Sequence, residues 1–533
     1  MTGKVPQPPR RSGSHGTTGP AGRMGGRAAR QAARAGETGS IAIRPGLPGG
    51  RYLPLSATDM ARIHDGALTI LARTGLADTT PELLDLVLPG GARLNDQGRL
   101  CFPRTLVEDL LAGAAGAFTV HARGERAGRD DMHCTGQNVY FANSGTAVTT
   151  FDAETLSYRP STLCDIYDFT RLVDRLDNIH MLGDTVLATD VTDDFAHDIN
   201  MLYAILAGSQ KPACLTLRHR SHLPAAIRLF DLASGGEGSF LKAPSAIFGG
   251  CPVVSPLRFG RENLELMIDT AKLGLVVDLA VPPQAGATGP ATLAGTLALS
   301  VAETLACVAI VNLINPGCPV AFAAWPFITD LRSGSFTGGS GEQALISAAA
   351  VQMGQFYGLP TSVGAGMTDA KLPDAQYGLE KALSFALAAH AGANRLCEFG
   401  GMLGSLMGCS FESMVIDDEA GGMILRTLRG IEVSDDTLAL DTIHACATGP
   451  GHFLGNPQTL EHMQSEFVYP ELMDRSRTDT WEAAGKTDLM ARARAKSQTI
   501  LAQHYPNWFG AADARVRAEF PILLDPRQMR PNG

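Results

Sequence analysis

Short apolar runs alternate with longer helical stretches through the middle of this chain, and this alternation restricts the folds available to it. Strand-like runs, rich in apolar and often β-branched residues, lie at 179–186, 213–217, 245–248, 275–281, 320–324, 360–363, 395–399 and, less clearly, 414–416. Apolar residues at helical spacing fill the intervals. Strands alternating with helices form a parallel sheet, and eight of them predict an α/β fold of the closed (β/α)8 type, a TIM barrel.

The same alternation would suit a doubly wound open sheet, but no Gly-x-Gly-x-x-Gly follows an early strand to favour a nucleotide-binding version. The rest of the chain predicts additions to the barrel. We expect an N-terminal α+β elaboration packed on the barrel, the barrel itself, C-terminal helices and a Pro/Arg-rich tail, at 51–161, 162–430, 431–505 and 506–533. Residues 1–50 are rich in Arg and Gly and predict a disordered tail.

Composition excludes several classes of protein. The 533-residue chain has a net charge of −10, whereas a nucleic-acid binder needs a basic footprint. The run at 293–314 comes closest to the roughly 20 apolar residues of a membrane span, but Ser300, Glu303 and Asn312 interrupt it. The ten cysteines are scattered and form no Cys-x-x-Cys pair, which indicates reduced thiols. We therefore expect a soluble, cytoplasmic protein.

Residues that follow the predicted strands are the candidates for a functional site, because the loops after barrel strands meet at one mouth. They are Asp184, Arg218, His219, Gly249, Gly250, Cys251, Gln284, Trp325, Met367, Asp369 and Glu398. A tryptophan face is the best aromatic partner of an ammonium cation, so Trp325 is the leading binding candidate. Phe327 and Tyr377 could complete an aromatic cage, although aromatic residues also fill barrel cores.

Two acids and a lysine follow the predicted strand at 360–363, in the run Gly-Ala-Gly-Met-Thr-Asp-Ala-Lys-Leu-Pro-Asp. Asp369 is placed to help hold an ammonium group, with Lys371 as its counter-ion. The structural alternative is a helix cap at Asp374 and an ordinary pair between Asp369 and Lys371. If the ligand carries a carboxylate, Arg218 is the leading candidate to bind it, followed by His219 and Lys371, unless the arginine only neutralises a nearby acid.

Three stretches carry a resemblance to a known family. They are GPATLAGTLALSVAETLACVAIVNLINPGCPV (289–320), EQALISAAAVQMGQFYGLPTSVGAGMTDAKLPDAQYGLEKAL (342–383) and LAAHAGANRLCEFGGMLGSLMGCSFESMVIDDE (387–419), with a weaker echo in MDRSRTDTWEAAG (473–485). Over about 53–505 the chain resembles the trimethylamine methyltransferase family. The resemblance implies a corrinoid-dependent enzyme that moves a methyl group from an amine to cobalt, with Met367, Asp369 and Lys371 at its catalytic centre.

One departure from the family narrows the substrate. Archetypal members carry pyrrolysine at the position of Met367, and a thioether cannot form the amine adduct proposed for that residue. The resemblance therefore implies the branch without pyrrolysine, whose members include enzymes that demethylate quaternary amines such as glycine betaine. Chemistry agrees, because a quaternary ammonium releases a neutral amine when it loses a methyl group and needs mainly desolvation and orientation.

The corrinoid (cobalamin) is expected on a separate partner protein, because the chain lacks an Asp-x-His-x-x-Gly cobalamin-binding signature. Gly400, Gly401 and Gly404 allow close backbone approach, either to the docked corrinoid or at a helix start. No closely spaced His or Cys pair predicts a zinc site. The resemblance also implies a homo-oligomer.

Two other functions fit the residues. Lys371 could form a Schiff base in a barrel lyase. Alternatively, the barrel could bind or sense an amine without catalysis.

Overall fold

Six parallel strands form the central sheet of the protein. The computed structural model describes residues 52–454 and 456–530; residues 1–51, where we predict the Arg/Gly-rich tail, lie outside the described residues. Neighbouring strands follow the order Ala246–Gly249, Ala213–Thr216, Met181–Gly183, Tyr140–Asn143, Arg395–Leu396 and Ser362–Val363. Every pair in this order is parallel. The sheet thus brings the carboxyl ends of all six strands to one edge.

Two extended segments continue the sheet beyond Ser362–Val363. Phe322 forms a parallel bridge with Thr361, and residues 277 and 281 form parallel bridges with residues 320 and 324. The amide of Ala280 donates to the carbonyl of Gly250 (2.9 Å), immediately after the opposite edge strand. The predicted strands at 275–281 and 320–324 are therefore extended segments of a curled parallel sheet.

The structure differs from the prediction at the first strand of the sheet and at the last predicted strand. Tyr140–Asn143, which we placed in the N-terminal elaboration, lies inside the central sheet. The expected eighth strand at 414–416 is wrong, because these residues belong to the helix Phe411–Arg429, where Ser410 caps the amide of Ser413 (3.2 Å). A short apolar run has the same composition in a buried strand and a buried helix, so periodicity alone cannot separate them.

Helices flank the sheet, and short strands decorate it. The α-helices are Ala57–Arg73, Pro81–Val87, Arg104–Gly113, Leu163–Val173, Asp194–Gly208, Leu223–Ala233, Ser239–Lys242, Arg261–Lys272, Leu293–Ile314, Gly341–Phe356, Ala375–His390, Phe411–Arg429, Asp435–Leu438, Leu440–Thr448, Pro457–Glu466, Thr478–Ala483, Leu489–Gln503 and Asp513–Glu519. The remaining strands are Arg93–Leu94, Leu100–Cys101, Ala117–Val120, Met132–Thr135, Thr149–Asp152, Ser157–Pro160, Val253–Val254, Arg258–Phe259, Gln284–Ala285, Phe327–Asp330, Ser335–Thr337, Met402–Leu403 and Gly408–Cys409. The architecture is mixed α/β, as the alternation predicts.

The most apolar helix, Leu293–Ile314, is a core element. Its length and composition would suit a membrane span, but most of it is buried against the rest of the protein, including helix Ala57–Arg73. Its one acidic residue, Glu303, accepts hydrogen bonds from the Leu257 amide (2.6 Å) and from Ser255 Oγ (2.7 Å). These bonds satisfy a polar group that would otherwise be costly inside the core.

The described part of 506–530 packs on helix Asp194–Gly208. Asn200 Nδ2 donates to the Pro521 carbonyl (2.9 Å), and the Leu523 amide donates to Asn200 Oδ1 (2.6 Å). Leu524 and Met529 are buried. This end of the chain is thus part of the folded body, while the domain limits given above stay predictions.

A buried ion pair joins helices Ala375–His390 and Phe411–Arg429 beside the carboxyl edge of the sheet. Lys381 Nζ lies 2.5 Å from Asp417 Oδ2 and donates to the Phe399 carbonyl (3.0 Å). Asp417 also accepts from Tyr377 Oη (2.6 Å) and from the Gly401 amide (2.7 Å). The pair therefore fixes the loop that follows Arg395–Leu396.

We expect Lys381→Met to destabilise the protein strongly, because it leaves Asp417 buried without its cation. Removal of one partner of a buried pair costs about 3–5 kcal/mol, whereas an exposed pair contributes about 1 kcal/mol or less. Lys486→Met is the matched control, since Lys486 pairs with Glu482 on the surface. Urea unfolding of the two variants checks this, and equal midpoints would contradict a structural role for the buried pair.

Candidate active site

A cavity of about 130 Å³ lies at the carboxyl edge of the sheet. Its walls come from the ends of the strands and the first residues after them: Ser144, Gly145, Thr146, Asp184, Cys214, Thr216, Gly249, Gly250, Cys251, Asp278, Ala280, Trp325, Arg395 and Glu398. Parallel α/β proteins bind their ligands at this edge. The volume suits a small molecule rather than the ligands of about 300 Å³ or more that fill larger pockets.

A buried ion pair between Arg395 and Asp278 forms part of the cavity wall and crosses the inside of the curled sheet. Each side chain is only 2% exposed. Ser362 Oγ donates to Asp278 Oδ1 (2.6 Å), and Trp325 Nε1 donates to Ser362 Oγ (3.2 Å). The chain of contacts neutralises the guanidinium and holds the indole of Trp325 in one orientation at the cavity.

Two carboxylates in the same cavity have oxygens without a hydrogen-bond partner. Asp184 Oδ2 accepts from the Thr216 amide (2.9 Å), but Asp184 Oδ1 has no partner among the described residues. Glu398 Oε2 is likewise unpartnered there. Asp184 is 6% exposed and Glu398 5% exposed. An unsatisfied buried carboxylate is costly, so both oxygens favour a ligand that supplies positive charge.

Burial also changes the titration of these two acids. Desolvation raises the pKa of Glu398 to about 8, although the nearby positive charge of Lys381 opposes the change. Desolvation raises the pKa of Asp184 to about 7 against the effect of its hydrogen bond with Thr216. Near neutral pH, the free cavity therefore retains protons that an entering cation would displace.

Glycine at position 145 permits the close approach of the first strand end to Glu398. A Cβ atom there would lie 2.6 Å from Glu398 Oε2, closer than side-chain carbons approach oxygens in proteins. Gly145 follows the strand Tyr140–Asn143, while Glu398 follows Arg395–Leu396, its neighbour in the sheet. The carboxylate thus occupies space that an alanine would close.

The cavity contains some of the predicted site residues. Trp325 and Glu398 line it, together with the strand-end candidates Asp184, Gly249, Gly250 and Cys251. Phe327 lies beside Trp325, with ring centroids 6.4 Å apart, but is not part of the lining. The structure thus gathers one indole and two acids from three different strand ends.

The predicted carboxylate binders lie elsewhere. Arg218 Nη1 pairs with Asp194 Oδ1 (2.6 Å), and His219 Nε2 lies 3.3 Å from Asp194 Oδ2. Both side chains are exposed and neither lines the cavity. Gln284 is also outside, where its Oε1 accepts from Thr329 Oγ1 (3.4 Å). In the structure, Arg218 therefore neutralises a nearby acid, Asp194, which is the alternative given above to binding a carboxylate ligand.

Tyr377 and Gly401, one of the three predicted corrinoid-contact glycines, bind Asp417 of the Lys381 ion pair. Tyr377 is buried and bonded to Asp417, as described above. Gly401 has φ +75° and Gly404 has φ +58°, left-handed conformations that favour glycine. A Cβ on Gly400 would lie 2.5 Å from Met414 Sδ. These glycines have conformational and packing reasons to be glycine, and contact with a corrinoid stays a prediction.

The segment that holds Met367, Asp369 and Lys371 is outside the cavity lining. Met367 is fully buried, and a Cβ on Gly338 would lie 2.5 Å from its Cβ. Asp369 accepts hydrogen bonds from the Gly338 amide (2.8 Å) and from Ser405 Oγ (2.6 Å), as well as from the hydroxyl of Thr337.

Lys371 is exposed, and its Nζ donates to the carbonyl of Asp369 (2.6 Å). Through the bonds of Asp369, this segment connects the loop at residues 337–338 with the loop at Ser405. Catalytic roles for its three residues stay predictions.

Sequence reasoning missed several residues of the cavity, above all Asp278 and the role of Arg395. Asp278 lies within a predicted strand and Arg395 at the start of another, whereas the predicted site residues lie at or after strand ends. The available signal was a charged residue inside an otherwise buried apolar run, which is rare unless the charge is paired. Within the described residues, no group of three or more His, Cys, Asp or Glu is placed to hold a metal ion.

A curled parallel sheet with a small acidic and aromatic cavity at its carboxyl edge defines an α/β protein with a site suited to a small cation. Comparison with known sequences agrees with this class. The chain belongs to the trimethylamine methyltransferase family, since the family model described as Trimethylamine methyltransferase (MTTB) matches residues 23–518. It is therefore a methyltransferase of that family.

Relatives of known activity match along most of their length. A glycine betaine methyltransferase of Desulfitobacterium hafniense (strain Y51) is 31% identical over 477 residues, which cover 90% of this chain and 97% of the relative. A trimethylamine methyltransferase MttB of Desulfitobacterium hafniense (strain DSM 10664 / DCB-2) is 30% identical, with 85% of this chain and 90% of the relative covered. The trimethylamine methyltransferase MttB of Methanosarcina barkeri is 30% identical, with coverage of 89% and 95%.

Among solved structures, dihydropteroate synthase from Xanthomonas albilineans is similar at 11% identity and a TM-score of 0.35. The match covers 56% of this chain and 97% of that chain. A score of this size does not define a shared fold, so the architecture is described from the strands and bridges alone.

We expect the affinity for tetramethylammonium to rise with pH. Glu398 and Asp184 are neutral below their pKa values of about 8 and about 7 and become anionic above them, so a cation binds better at high pH. Each ionised carboxylate should improve binding about tenfold. Calorimetric titration between pH 6 and pH 9 measures this; a constant affinity would contradict it.

Glu398→Gln should remove the upper part of this pH dependence. Glu303→Gln is the matched control, because burial also raises the pKa of Glu303, to about 7, although its carboxylate lies outside the cavity. The control variant should bind the cation with the pH dependence of the unaltered protein.

Trp325→Leu should weaken tetramethylammonium binding by about 3- to 30-fold, the range of an ammonium–indole contact of about 0.5–2 kcal/mol. Trp481→Leu is the control, since Trp481 donates to the Thr487 carbonyl (3.0 Å) in the C-terminal region. Fluorescence or calorimetric titration compares the two, and equal effects would remove Trp325 from the binding site.

Proposed function

We propose that this protein transfers a methyl group from a quaternary amine to the Co(I) of a corrinoid carried by a separate partner protein. The donor would contain the trimethylammonium group found in glycine betaine. The observation that carries the proposal is the cavity itself, which is lined by Trp325 and by two acids, Asp184 and Glu398, that each keep one oxygen without a partner among the described residues. Membership of the family and the activities of its relatives support the same reaction.

The reaction requires no proton from the protein. The partner's Co(I) corrinoid would supply the nucleophile for the methyl carbon, and the donor's nitrogen would keep the carbon–nitrogen electron pair and leave as a neutral tertiary amine. The protein's contribution is to remove water from the ammonium group and to aim one methyl group at the open mouth. Trp325 and the two carboxylates serve the first task, and the fixed indole serves the second.

Charge disappears from nitrogen as the reaction proceeds, so the carboxylates stabilise bound substrate more than the transition state. Interactions of this kind lower KM without raising kcat. In the proposed mechanism, Glu398 and Asp184 are binding residues. The chemical step is accelerated because the walls of the cavity orient the methyl donor.

The sheet is proposed to close into a (β/α)8 barrel. The parallel bridges at residues 277, 281 and 322 and the Ala280–Gly250 hydrogen bond support closure between the two edge strands. In such a barrel, the mouth would stay open for a corrinoid presented by the partner. Gly400, Gly401 and Gly404 follow Glu398 in the chain and are proposed to contact that corrinoid.

The location in the cytoplasm and the homo-oligomeric state are proposed with the function. All ten cysteines are free thiols, which agrees with a reducing compartment. Assembly requires exposed apolar surface, and the C-terminal helical region supplies it through Ile431, Leu440, Leu454 and Phe467, each more than half exposed. The acidic net charge argues against a role in nucleic-acid binding, which needs a basic surface.

Methylation of cob(I)alamin, followed by its absorbance, tests the proposal directly. Transfer is expected from quaternary methylamines and not from trimethylamine, and Glu398→Gln should raise KM about tenfold with a smaller change in kcat. Transfer from trimethylamine at an equal rate would contradict the substrate class. Binding of amines without transfer to free or protein-bound corrinoid would favour an amine-sensing barrel instead.

A further inference from the structure

The charges around the cavity are unbalanced in a way that bears on the methyl donor. Three carboxylates line it, those of Asp184, Asp278 and Glu398. Among the described lining residues, Arg395 is the one basic side chain, and Asp278 neutralises it. Two acids therefore remain without a counter-charge on the cavity wall.

A zwitterionic betaine would find one cation on the cavity wall, Arg395, and Asp278 already offsets its charge through Nη1. Arg218 and Lys371, the basic residues near other strand ends, are exposed, lie outside the lining, and contact Asp194 and the Asp369 carbonyl respectively. Lys381 is also outside the lining and is bonded to Asp417 and to the Phe399 carbonyl. The carboxylate of glycine betaine is separated from its ammonium group by a single CH2 group, so it would stay close to the same acids in this cavity.

Like charges brought together out of water repel strongly, whereas the trimethylammonium end alone is attracted by both acids and by the indole. We propose that the methyl donor is a small quaternary ammonium cation whose fourth substituent carries no negative charge, as in tetramethylammonium or choline, and not a zwitterionic betaine. The inference deepens the proposed function and rests on it for the reaction, but not for the choice of ligand.

Glycine betaine and its amide form a matched pair for the test, because they have the same size and differ mainly by one negative charge. In the cob(I)alamin assay at pH 8.5, we expect kcat/KM to be about a hundredfold higher for the amide and for choline than for glycine betaine. Equal or higher kcat/KM for glycine betaine would overturn the inference and leave the proposed methyl transfer intact.

Equilibrium binding separates failure of the inference from failure of the proposed function. Calorimetric titration with tetramethylammonium, the betaine amide and glycine betaine needs no catalysis. Tight binding of the two cations with weak binding of glycine betaine supports the inference even if no methyl group is transferred. Equal binding of all three, or binding of none, overturns it.

A variant pair then assigns the discrimination to the cavity acids. Glu398→Gln should reduce the preference for the amide over glycine betaine by about tenfold, because one repelling charge is gone. Asp184→Asn is the independent second variant, with the same expected effect. Glu303→Gln should leave the preference unchanged, since Glu303 bonds Ser255 and Leu257 away from the cavity. An unchanged preference in both cavity variants would overturn the assignment.

Discussion

The ion pair between Arg395 and Asp278 is the contact on which the site depends. It spans the inside of the curled sheet between two segments that are not neighbours in it, and it shares Ser362 with the indole of Trp325. A buried pair of this kind contributes little net stability, because desolvation of both charges opposes their attraction. Its structural effect is geometric: Asp278 offsets the charge of the guanidinium and orients the tryptophan through Ser362, so the remaining acids determine the charge of the cavity.

A second buried pair supports the loop that carries Glu398. Lys381 and Asp417 hold the loop that begins at Glu398, and Gly401 joins the same network through its amide. Glu398 thus stands on a rigid base although it has no partner of its own at Oε2. An acid held in place in this way, without a partner at Oε2, is preorganised for a charged ligand.

The alternation of apolar runs was sufficient to predict the parallel sheet, and strand-end position was sufficient to find Trp325 and Glu398. The same reasoning failed at 414–416, where a short apolar run belongs to a helix, and at Tyr140–Asn143, where a central strand lay in the region taken for an elaboration. Asp278 was missed because its importance comes from a partner 117 positions away in sequence. Pairings of that kind are set by tertiary structure, and no local pattern encodes them.

The unpartnered carboxylates also treat substrate and product differently. A quaternary ammonium brings one positive charge into the cavity, and this charge favours the ionised form of acids that burial tends to keep protonated. Under the proposed reaction, the product is neutral and no longer compensates those charges, so protons return from solvent and the attraction that held the ligand is lost. Demethylation would therefore weaken the binding of its own product. Proton uptake by the two acids, rather than movement of a lid, would return the cavity to its ligand-free state.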